Sequence, residues 1–268
     1  MRLSSGKILF SNEGGVAQIT LNRPEVLNAM DSEMHLMMSD IWNYIRTDSK
    51  VRVVVIEGTG GRAFSVGQDL KESSSLAQQD QASTYGSKGR PGHPRFTQRF
   101  DINKPVIAKV DGYALGGGFE LALASDIIIA SSSSTFGLPE VKRGLVPGAG
   151  GVFRMMRQFP CKLAMGYLLT GKHLSAQVAQ EFGLVNDVVD CKELDVTVRK
   201  WINALLEASP LAIASVKEAA YKSMDLSLPE SFVESFSEES NRMKGQDHIE
   251  GPRAFIEKRL PSWCQSTE

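Results

Sequence analysis

The chain has 268 residues, and its 30 Lys and Arg against 31 Asp and Glu give a formal net charge of −1. A balance this close argues against a dedicated nucleic-acid binder, because phosphate contacts require a basic surplus or a basic stripe. Charged residues at 23% and hydrophobic residues at 42% exclude disordered, collagen-like and disulfide-scaffold proteins. At about 150 residues per domain, this length corresponds to roughly 1.8 domains with a large core.

The cysteines, histidines and apolar runs restrict the compartment and the kinds of site. Three cysteines lie far apart and lack the spacing of zinc or redox motifs, which predicts a reducing compartment: Cys161, Cys191 and Cys264. Four histidines share no metal-ligand spacing: His35, His93, His173 and His248. No apolar signal region follows the first residues, and no stretch offers the ~18 uncharged apolar residues of a membrane span. The sequence therefore predicts a cytoplasmic protein with no metal and no membrane contact.

The first third of the chain predicts a strand, a helix and a second strand. Residues 16–21 alternate and are rich in strand formers, and the predicted strand stops at the turn before Pro24. Asp31 is a good helix cap, and apolar residues follow it at helical spacing: Met34, Met37, Met38, Ile41, Trp42 and Ile45. Residues 51–56 are typical of a buried strand. This order predicts a crossover unit of an α/β fold.

The middle and the end of the chain predict a loop, a second α/β unit and a helical region. Residues 72–99 are rich in Ser, Gln, Gly and Pro, which favours a loop or a frayed helix. Residues 105–110 then predict a strand, the glycines at 116–118 a turn, residues 119–124 a helix, and residues 126–129 another strand. Helical patterns follow and are interrupted by prolines. The signals are a cap at Ser175, a stop at Gly183 and breaks at Pro210 and Pro229.

Three short motifs do not meet the structural conditions that their chemistry requires. Residues 58–63 match a dinucleotide fingerprint, but no helix is predicted to open after them. Residues 166–172 have phosphate-loop spacing, but His173 replaces the required Ser or Thr. Ser65 lies in a turn that lacks one glycine of a nucleophile elbow, and no histidine partner is evident nearby.

Two glutamates lie among apolar residues, and the presence of an ionisable group in such a segment must be explained. Glu120 follows a triple glycine inside an apolar segment, and Glu140 follows a turn in similar surroundings. Burial without a partner would cost several kcal/mol or raise the pKa of the carboxyl group. One interpretation pairs each with a buried Arg or Lys. The other uses the glycine turns near residues 67 and 116, because two backbone N–H groups converging on a carbonyl oxygen would make an oxyanion hole beside an acid and a base.

At these residues the sequence resembles the crotonase family, also called the enoyl-CoA hydratase/isomerase family. The matching blocks appear in order along nearly the whole chain: residues 21–30, 63–72, 104–108, 112–122, 136–140, 144–147 and 257–259. The resemblance implies a spiral of ββα turns over residues 1–200. It also implies a helical oligomerisation region over residues 201–268 that builds a homotrimer or a hexamer of two trimers.

The resemblance further implies an acyl-CoA substrate and names the residues that would act on it. The backbone N–H groups of Gln68 and Gly117 would form the oxyanion hole, and the two family glutamates fall on Glu120 and Glu140. Retention of both favours an enoyl-CoA hydratase, a hydro-lyase of fatty acid metabolism, with Glu120 activating a water and Glu140 protonating Cα. No separate cofactor is implied, because coenzyme A is part of the substrate.

Contacts to coenzyme A are implied at a second set of positions. Val26 and Leu27 would lie near the adenine, Lys71 near the nucleotide phosphates, and Lys258 would reach the nucleotide of a neighbouring subunit. The remaining implied contacts are Asp69 and Leu70. Each lysine is equally consistent with an ordinary solvated charge.

The resemblance leaves the substrate and part of the chemistry open. Residues 73–99, which help to form the acyl pocket in relatives, have no clear match, so the acyl chain length is undetermined. The blocks 116–124, 138–140, 250–252 and 257–263 are similar to the carnitinyl-CoA dehydratase branch, which keeps a dehydratase of a substituted acyl-CoA as the alternative. An enoyl-CoA isomerase, an acyl-CoA hydrolase and an RNA-binding protein are further alternatives, and the charge balance argues against the last.

Overall fold

The computed structural model describes residues 2–4, 6–72 and 95–265. Most of the segment 72–99 predicted as a loop lies outside these residues. Within them the chain forms strands with the following bounds: β1 Arg2–Ser4, β2 Ile8–Glu13, β3 Val16–Leu21, β4 Val53–Gly58, β5 Ala63–Ser65, β6 Val106–Val110, β7 Tyr113–Leu115, β8 Ile127–Ser131, β9 Thr135–Gly137, β10 Leu174–Ser175 and β11 Asp187–Val189. The three longer predicted strands, β3, β4 and β6, are confirmed to within two residues at their start.

The strands build two sheets that run side by side along a spiral. The larger sheet has the order β1-β2-β3-β4-β6-β8-β11, and the smaller has the order β10-β9-β7-β5. In the larger sheet the strands from β3 to β11 pair in parallel, while β1, β2 and β3 are antiparallel. Each turn of the chain adds one strand to each sheet, as β6 and β7 or β8 and β9 do, before a helical segment follows. This arrangement confirms the predicted α/β spiral of ββα turns.

Helices cover the sheets and make up most of the chain after residue 150. Their bounds are α1 Ser32–Thr47, α2 Gly117–Leu123, α3 Gly151–Gln158, α4 Cys161–Thr170, α5 Ala176–Glu181, α6 Leu194–Glu207, α7 Pro210–Ser223, α8 Leu228–Val233, α9 Ser237–Lys244, α10 Asp247–Ile256 and α11 Ser262–Gln265. As predicted, the Asp31 side chain caps α1 by accepting a hydrogen bond from Met34 N at 2.9 Å. Ser175 caps α5 in the same way, and Pro210 and Pro229 lie in the first turns of α7 and α8.

The core lies on both faces of the parallel strands. Val54 and Ile56 of β4 pack in a large cluster with α1 and the smaller sheet, while Val53 and Val55 pack in a second cluster with α6. Burial on both faces is typical of a parallel sheet and explains the uninterrupted run of β-branched residues in β4. The predicted apolar stripe of α1 is buried, with Met37 partly buried against the same cluster.

The last third of the chain differs from the rest in its burial. Neither α8 nor α9 has a buried residue, and large apolar side chains there face solvent. Residue 200 lies inside α6, and the division into regions 1–200 and 201–268 stays a prediction. Among the described residues, none of the helices combines the length and the apolar character needed to cross a bilayer.

Candidate active site

Three neighbouring strands of the smaller sheet deliver the predicted site residues to one place. β5, β7 and β9 pair in parallel, so their carboxyl ends meet at the same edge. Gln68 follows β5, Gly117 follows β7, and Glu140 follows β9. Ligands commonly bind at the carboxyl edge of parallel strands. The convergence of the two glycine turns and Glu140, which spacing alone does not give, is therefore a consequence of this strand order.

The turns after β5 and β7 approach each other as closely as backbone allows. A Cβ on Gly67, whose φ is +87°, would lie 2.4 Å from the Gly117 nitrogen, so only glycine fits. A Cβ on Gly117 would lie 3.6 Å from the nitrogen of Gln68, which places the two amide groups side by side. Neither N–H has an acceptor among the described residues. The pair is thus available to a ligand oxygen.

Glu120 lies on α2, immediately after the second turn, and is only 3% exposed. Its Oε1 accepts hydrogen bonds from Ala149 N and Gly151 N, both at 2.8 Å. Burial raises the pKa of Glu120, whereas these two bonds and the nearby charges of Arg95 and Arg154 oppose the rise. Glu120 is therefore held by backbone donors, and no ion pair between it and an Arg or Lys is formed among the described residues.

Glu140 lies on the 3₁₀ turn Pro139–Arg143 and is half-buried. Its Oε1 faces Gly116, where an added Cβ would lie 3.2 Å away. Its Oε2 is buried and has no hydrogen-bond partner in the described part of the chain. Burial raises the pKa of Glu140 to about 7, the negative charge of Glu120 adds to the rise, and Arg143 acts against it. The two carboxyl groups thus differ in their affinity for a proton.

Three further side chains surround this pair and were not predicted from the sequence. His35 Nε2 lies 2.9 Å from Gln68 Oε1, so α1 fixes the side chain of an oxyanion-hole residue. Burial, together with the nearby positive charge of Arg95, lowers the pKa of His35 to about 4, so His35 is neutral at pH 7. Arg154 Nη2 donates to the Thr97 carbonyl at 2.8 Å. No sequence pattern distinguishes these residues from ordinary helix or loop positions.

The residues predicted to contact coenzyme A fall into two sets. Val26, Leu27, Asp69, Leu70 and Lys71 lie in or beside the glycine turn after β5 and are called the near group, and Lys258 lies elsewhere in the chain. Val26 and Leu27 are half-buried, and the Leu27 carbonyl accepts a hydrogen bond from Val66 N at 3.1 Å, which ties them to the turn after β5. Asp69 is paired with Arg23 at 3.1 Å. The last members of the near group are exposed at the start of the helical turn 70–72: Leu70 and Lys71.

Lys258 is the distant member of the set. It lies beyond the carboxyl end of α10 with a left-handed backbone, φ 52°, and its side chain is exposed. No hydrogen bond or ion pair between described residues connects it to the near group. Its predicted role toward a neighbouring subunit stays a prediction.

Two of the rejected motifs have structural roles instead. Ser65 Oγ donates to the Asn28 carbonyl at 2.8 Å and accepts from Gly67 N at 3.1 Å, which holds the first glycine turn in place. The glycine segment after β4 leads into β5 rather than a helix, so it lacks the geometry of a dinucleotide site. Among the described residues, His, Cys, Asp and Glu form no group of three that could hold a metal ion.

Comparisons with known proteins agree over the whole chain. Residues 11–266 match the profile of the family described as enoyl-CoA hydratase/isomerase. Carnitinyl-CoA dehydratases from Salmonella arizonae and Proteus mirabilis are each 38% identical over 263 residues, covering 97% of this chain and 98% of the relative. The crystal structure of an enoyl-CoA hydratase from Mycobacterium marinum has a TM-score of 0.84 at 35% identity, covering 96% of this chain and 98% of that chain. One from Bacillus anthracis has a TM-score of 0.83 at 30% identity, covering 95% and 98%.

Proposed function

Because this chain belongs to the enoyl-CoA hydratase/isomerase family, and so to enzymes of the hydratase and dehydratase kind, we propose that it hydrates trans-2-enoyl-CoA thioesters reversibly. One observation carries the proposal: two backbone N–H groups that have no acceptor among the described residues lie beside two glutamates of unequal proton affinity. An oxyanion hole, a base and an acid are the parts that addition of water to a conjugated thioester requires.

The reaction proceeds through an enolate. Glu120, held as a carboxylate through Oε1, takes a proton from a water while the water oxygen bonds to Cβ of the substrate. The electron pair of the double bond moves toward the thioester oxygen, which the N–H groups of Gln68 and Gly117 stabilise. Removing such a donor typically costs about 3 to 4 kcal/mol. Glu140 then protonates Cα, which leaves the proton of the pair on Glu120.

The thioester is held at its coenzyme A end by the near group beside the first turn. In this proposal Lys71 contacts the nucleotide phosphates, and Val26 and Leu27 contact the adenine. The proposal requires no separate cofactor, because coenzyme A arrives as part of the substrate. The assembly that goes with it is a homotrimer or a hexamer of two trimers in the cytoplasm, with Lys258 directed to a neighbouring subunit.

An absorbance assay tests the hydratase proposal. Purified protein is incubated with crotonyl-CoA and longer trans-2-enoyl-CoA thioesters, and the loss of the conjugated thioester absorbance is followed with product analysis. We expect 3-hydroxyacyl thioesters. No loss at any chain length, or a loss that persists without Glu120 and Glu140, contradicts the proposal. A shifted double bond would indicate an isomerase, and free coenzyme A a hydrolase.

A second candidate is dehydration of a substituted acyl-CoA. The curated relatives named carnitinyl-CoA dehydratase, at 38% identity, favour it. The same two glutamates and the same oxyanion hole serve it, because dehydration is hydration in reverse. Incubating the protein with carnitinyl-CoA and with unsubstituted 3-hydroxyacyl-CoA thioesters separates the two, since only the second candidate requires the substituted substrate to react faster.

A further inference from the structure

A positively charged side chain near Glu120 has no partner within the described part of the chain. Arg95 is half-buried and its Nε is fully buried, yet no hydrogen bond or ion pair joins its guanidinium to another described residue. Arg154, the other arginine near Glu120, donates to the Thr97 carbonyl at 2.8 Å. A buried cation without a partner is costly, and such groups are normally paired or bound to a ligand. Arg95 therefore needs an explanation that Arg154 does not.

The position of Arg95 relates it to the reacting end of the substrate. It precedes the 3₁₀ turn Phe96–Gln98, whose Phe96 stacks on Trp42 of α1 with ring centroids 4.0 Å apart. The same turn contacts both α1 and α2, the helices that carry His35 and Glu120. The positive charge of Arg95 acts to lower the pKa of His35 and the pKa of Glu120. The guanidinium thus lies within electrostatic reach of the side chain that contacts Gln68 and of the glutamate that we propose activates water.

The charges around this point do not balance. His35 is neutral at pH 7, because burial and then Arg95 keep its pKa near 4. Asp31, whose charge acts on His35, is already paired with Lys7 at 2.8 Å and Arg23 at 3.4 Å. When Glu140 is protonated, as hydration requires, Glu120 is one negative charge against the positive charges of Arg95 and Arg154. A single further negative charge would neutralise the group.

From this geometry we infer that Arg95 forms a subsite for a carboxylate on the acyl part of the thioester, so that the preferred substrate is the CoA monothioester of an unsaturated dicarboxylic acid. The planar fork of a guanidinium matches a carboxylate through two parallel hydrogen bonds. The same charge would repel an acyl group that ends in a quaternary ammonium. The inference rests on the proposed function, since it names the substrate class of that site.

The test compares thioesters that share coenzyme A and differ only at the acyl terminus. The probes are the CoA monothioesters of trans-2-pentenedioic and trans-2-hexenedioic acid, the neutral trans-2-pentenoyl-CoA and trans-2-hexenoyl-CoA, and 4-trimethylammonio-trans-2-butenoyl-CoA. Contacts to the coenzyme cancel in the ratio of kcat/KM values. We expect the carboxylated thioesters to exceed the neutral ones by at least about 30-fold, the lower end for a buried charge pair, mainly through KM.

Variants connect that preference to one side chain. Arg95→Met should bring the ratio of carboxylated to neutral kcat/KM close to one, and Arg95→Lys should keep part of the preference, because a charge remains without the fork. Arg157→Met, which changes an exposed arginine on α3, should leave the ratio as in wild type. If Arg95→Met acted only through packing or through the titration of Glu120, kcat/KM would change equally for the carboxylated and the neutral thioesters. Their ratio would then stay as in wild type.

The outcomes separate the two proposals. If no enoyl thioester is hydrated, the proposed function fails. If the neutral thioesters are hydrated but the carboxylated ones are not preferred in the wild type, the subsite is overturned while the hydratase proposal stands. A preference that Arg95→Met leaves unchanged also overturns it, as does faster turnover of the quaternary ammonium thioester.

Discussion

At the scale of single residues, the two glutamates carry the same side chain in different surroundings. Glu120 Oε1 accepts two backbone hydrogen bonds, which favour its charged form. Glu140 Oε2 has no donor within the described residues, and burial raises the pKa of this carboxyl to about 7. Burial still raises the pKa of Glu120, but its two backbone donors oppose the rise; a carboxylate held in this way suits proton acceptance, and an acid that titrates near neutral pH suits proton donation. The surroundings therefore assign the roles that the sequence leaves interchangeable.

Glutamine variants test these roles. Glu120→Gln and Glu140→Gln keep the size of the side chain but remove proton transfer, so we expect each to lower kcat for crotonyl-CoA hydration by about 100-fold or more. Calorimetric binding of a saturated acyl-CoA shows whether the substrate site is intact. Glu181→Gln, at an exposed position on α5, is the matched control and should keep the wild-type rate. A rate near wild type for either site variant contradicts its assigned role.

The pH dependence of the reaction follows from the pKa of Glu140. Hydration begins with Glu120 charged and Glu140 protonated, whereas dehydration begins with Glu120 protonated and Glu140 charged. In both directions the two glutamates together must hold one proton. Because Glu140 titrates near 7, its protonated form dominates below that pH and is lost above it. We expect kcat/KM to fall by about tenfold per pH unit on the alkaline side, equally for hydration and dehydration. An increase in kcat/KM through neutral pH would contradict the assignment.

At the scale of elements, the site depends on strands that sequence patterns do not reveal. β5, β7 and β9 each span three residues, too few for a periodic signal, and their parallel register brings the turns together. By contrast, α1 has a cap and a long apolar stripe, and its prediction is confirmed. The positions of Gln68, Gly117 and Glu140 were predicted through the family resemblance rather than through periodicity. His35 and Arg95 were missed because their significance comes only from what lies beside them in three dimensions.

The close approach of the two glycine turns gives an element-scale prediction. Gly67→Ala would place a Cβ 2.4 Å from the Gly117 nitrogen, so the turns must separate and the oxyanion hole must widen. We expect kcat to fall by about 100-fold or more, the effect of losing one oxyanion donor. Gly183→Ala is the control, because Gly183 has a similar φ of +77° with no heavy atom within 4 Å. It should lower stability slightly and leave kcat unchanged; an equal loss of kcat in both variants would refute the steric argument.

At the scale of the whole molecule, net charge and exposed apolar surface must be considered together. A formal net charge of −1 provides no overall attraction for a polyanionic thioester, so binding depends on local cations such as Lys71. The apolar surface is more unusual. Large apolar side chains of the C-terminal helical region are exposed: Leu228, Phe232, Val233, Phe255, Ile256 and Leu260. Large exposed apolar side chains that lie close together along the chain, as at 232–233 and 255–256, are typical of interaction sites, which supports the proposed association of copies of this chain.

Disrupting this surface tests the assembly. Phe255 is 85% exposed on α10, and Phe255→Asp places a charge where we propose that a second copy packs. Light scattering after gel filtration measures the mass of the assembly. We expect a trimer or hexamer for the wild type and smaller species for the variant. Val196→Asp is the control, since Val196 is 59% exposed on α6, outside the C-terminal helices. A monomeric wild type contradicts the proposal. An equal loss of association in both variants would contradict the assignment of the contact to the C-terminal helices, because the same charge on a different helix would then have the same effect.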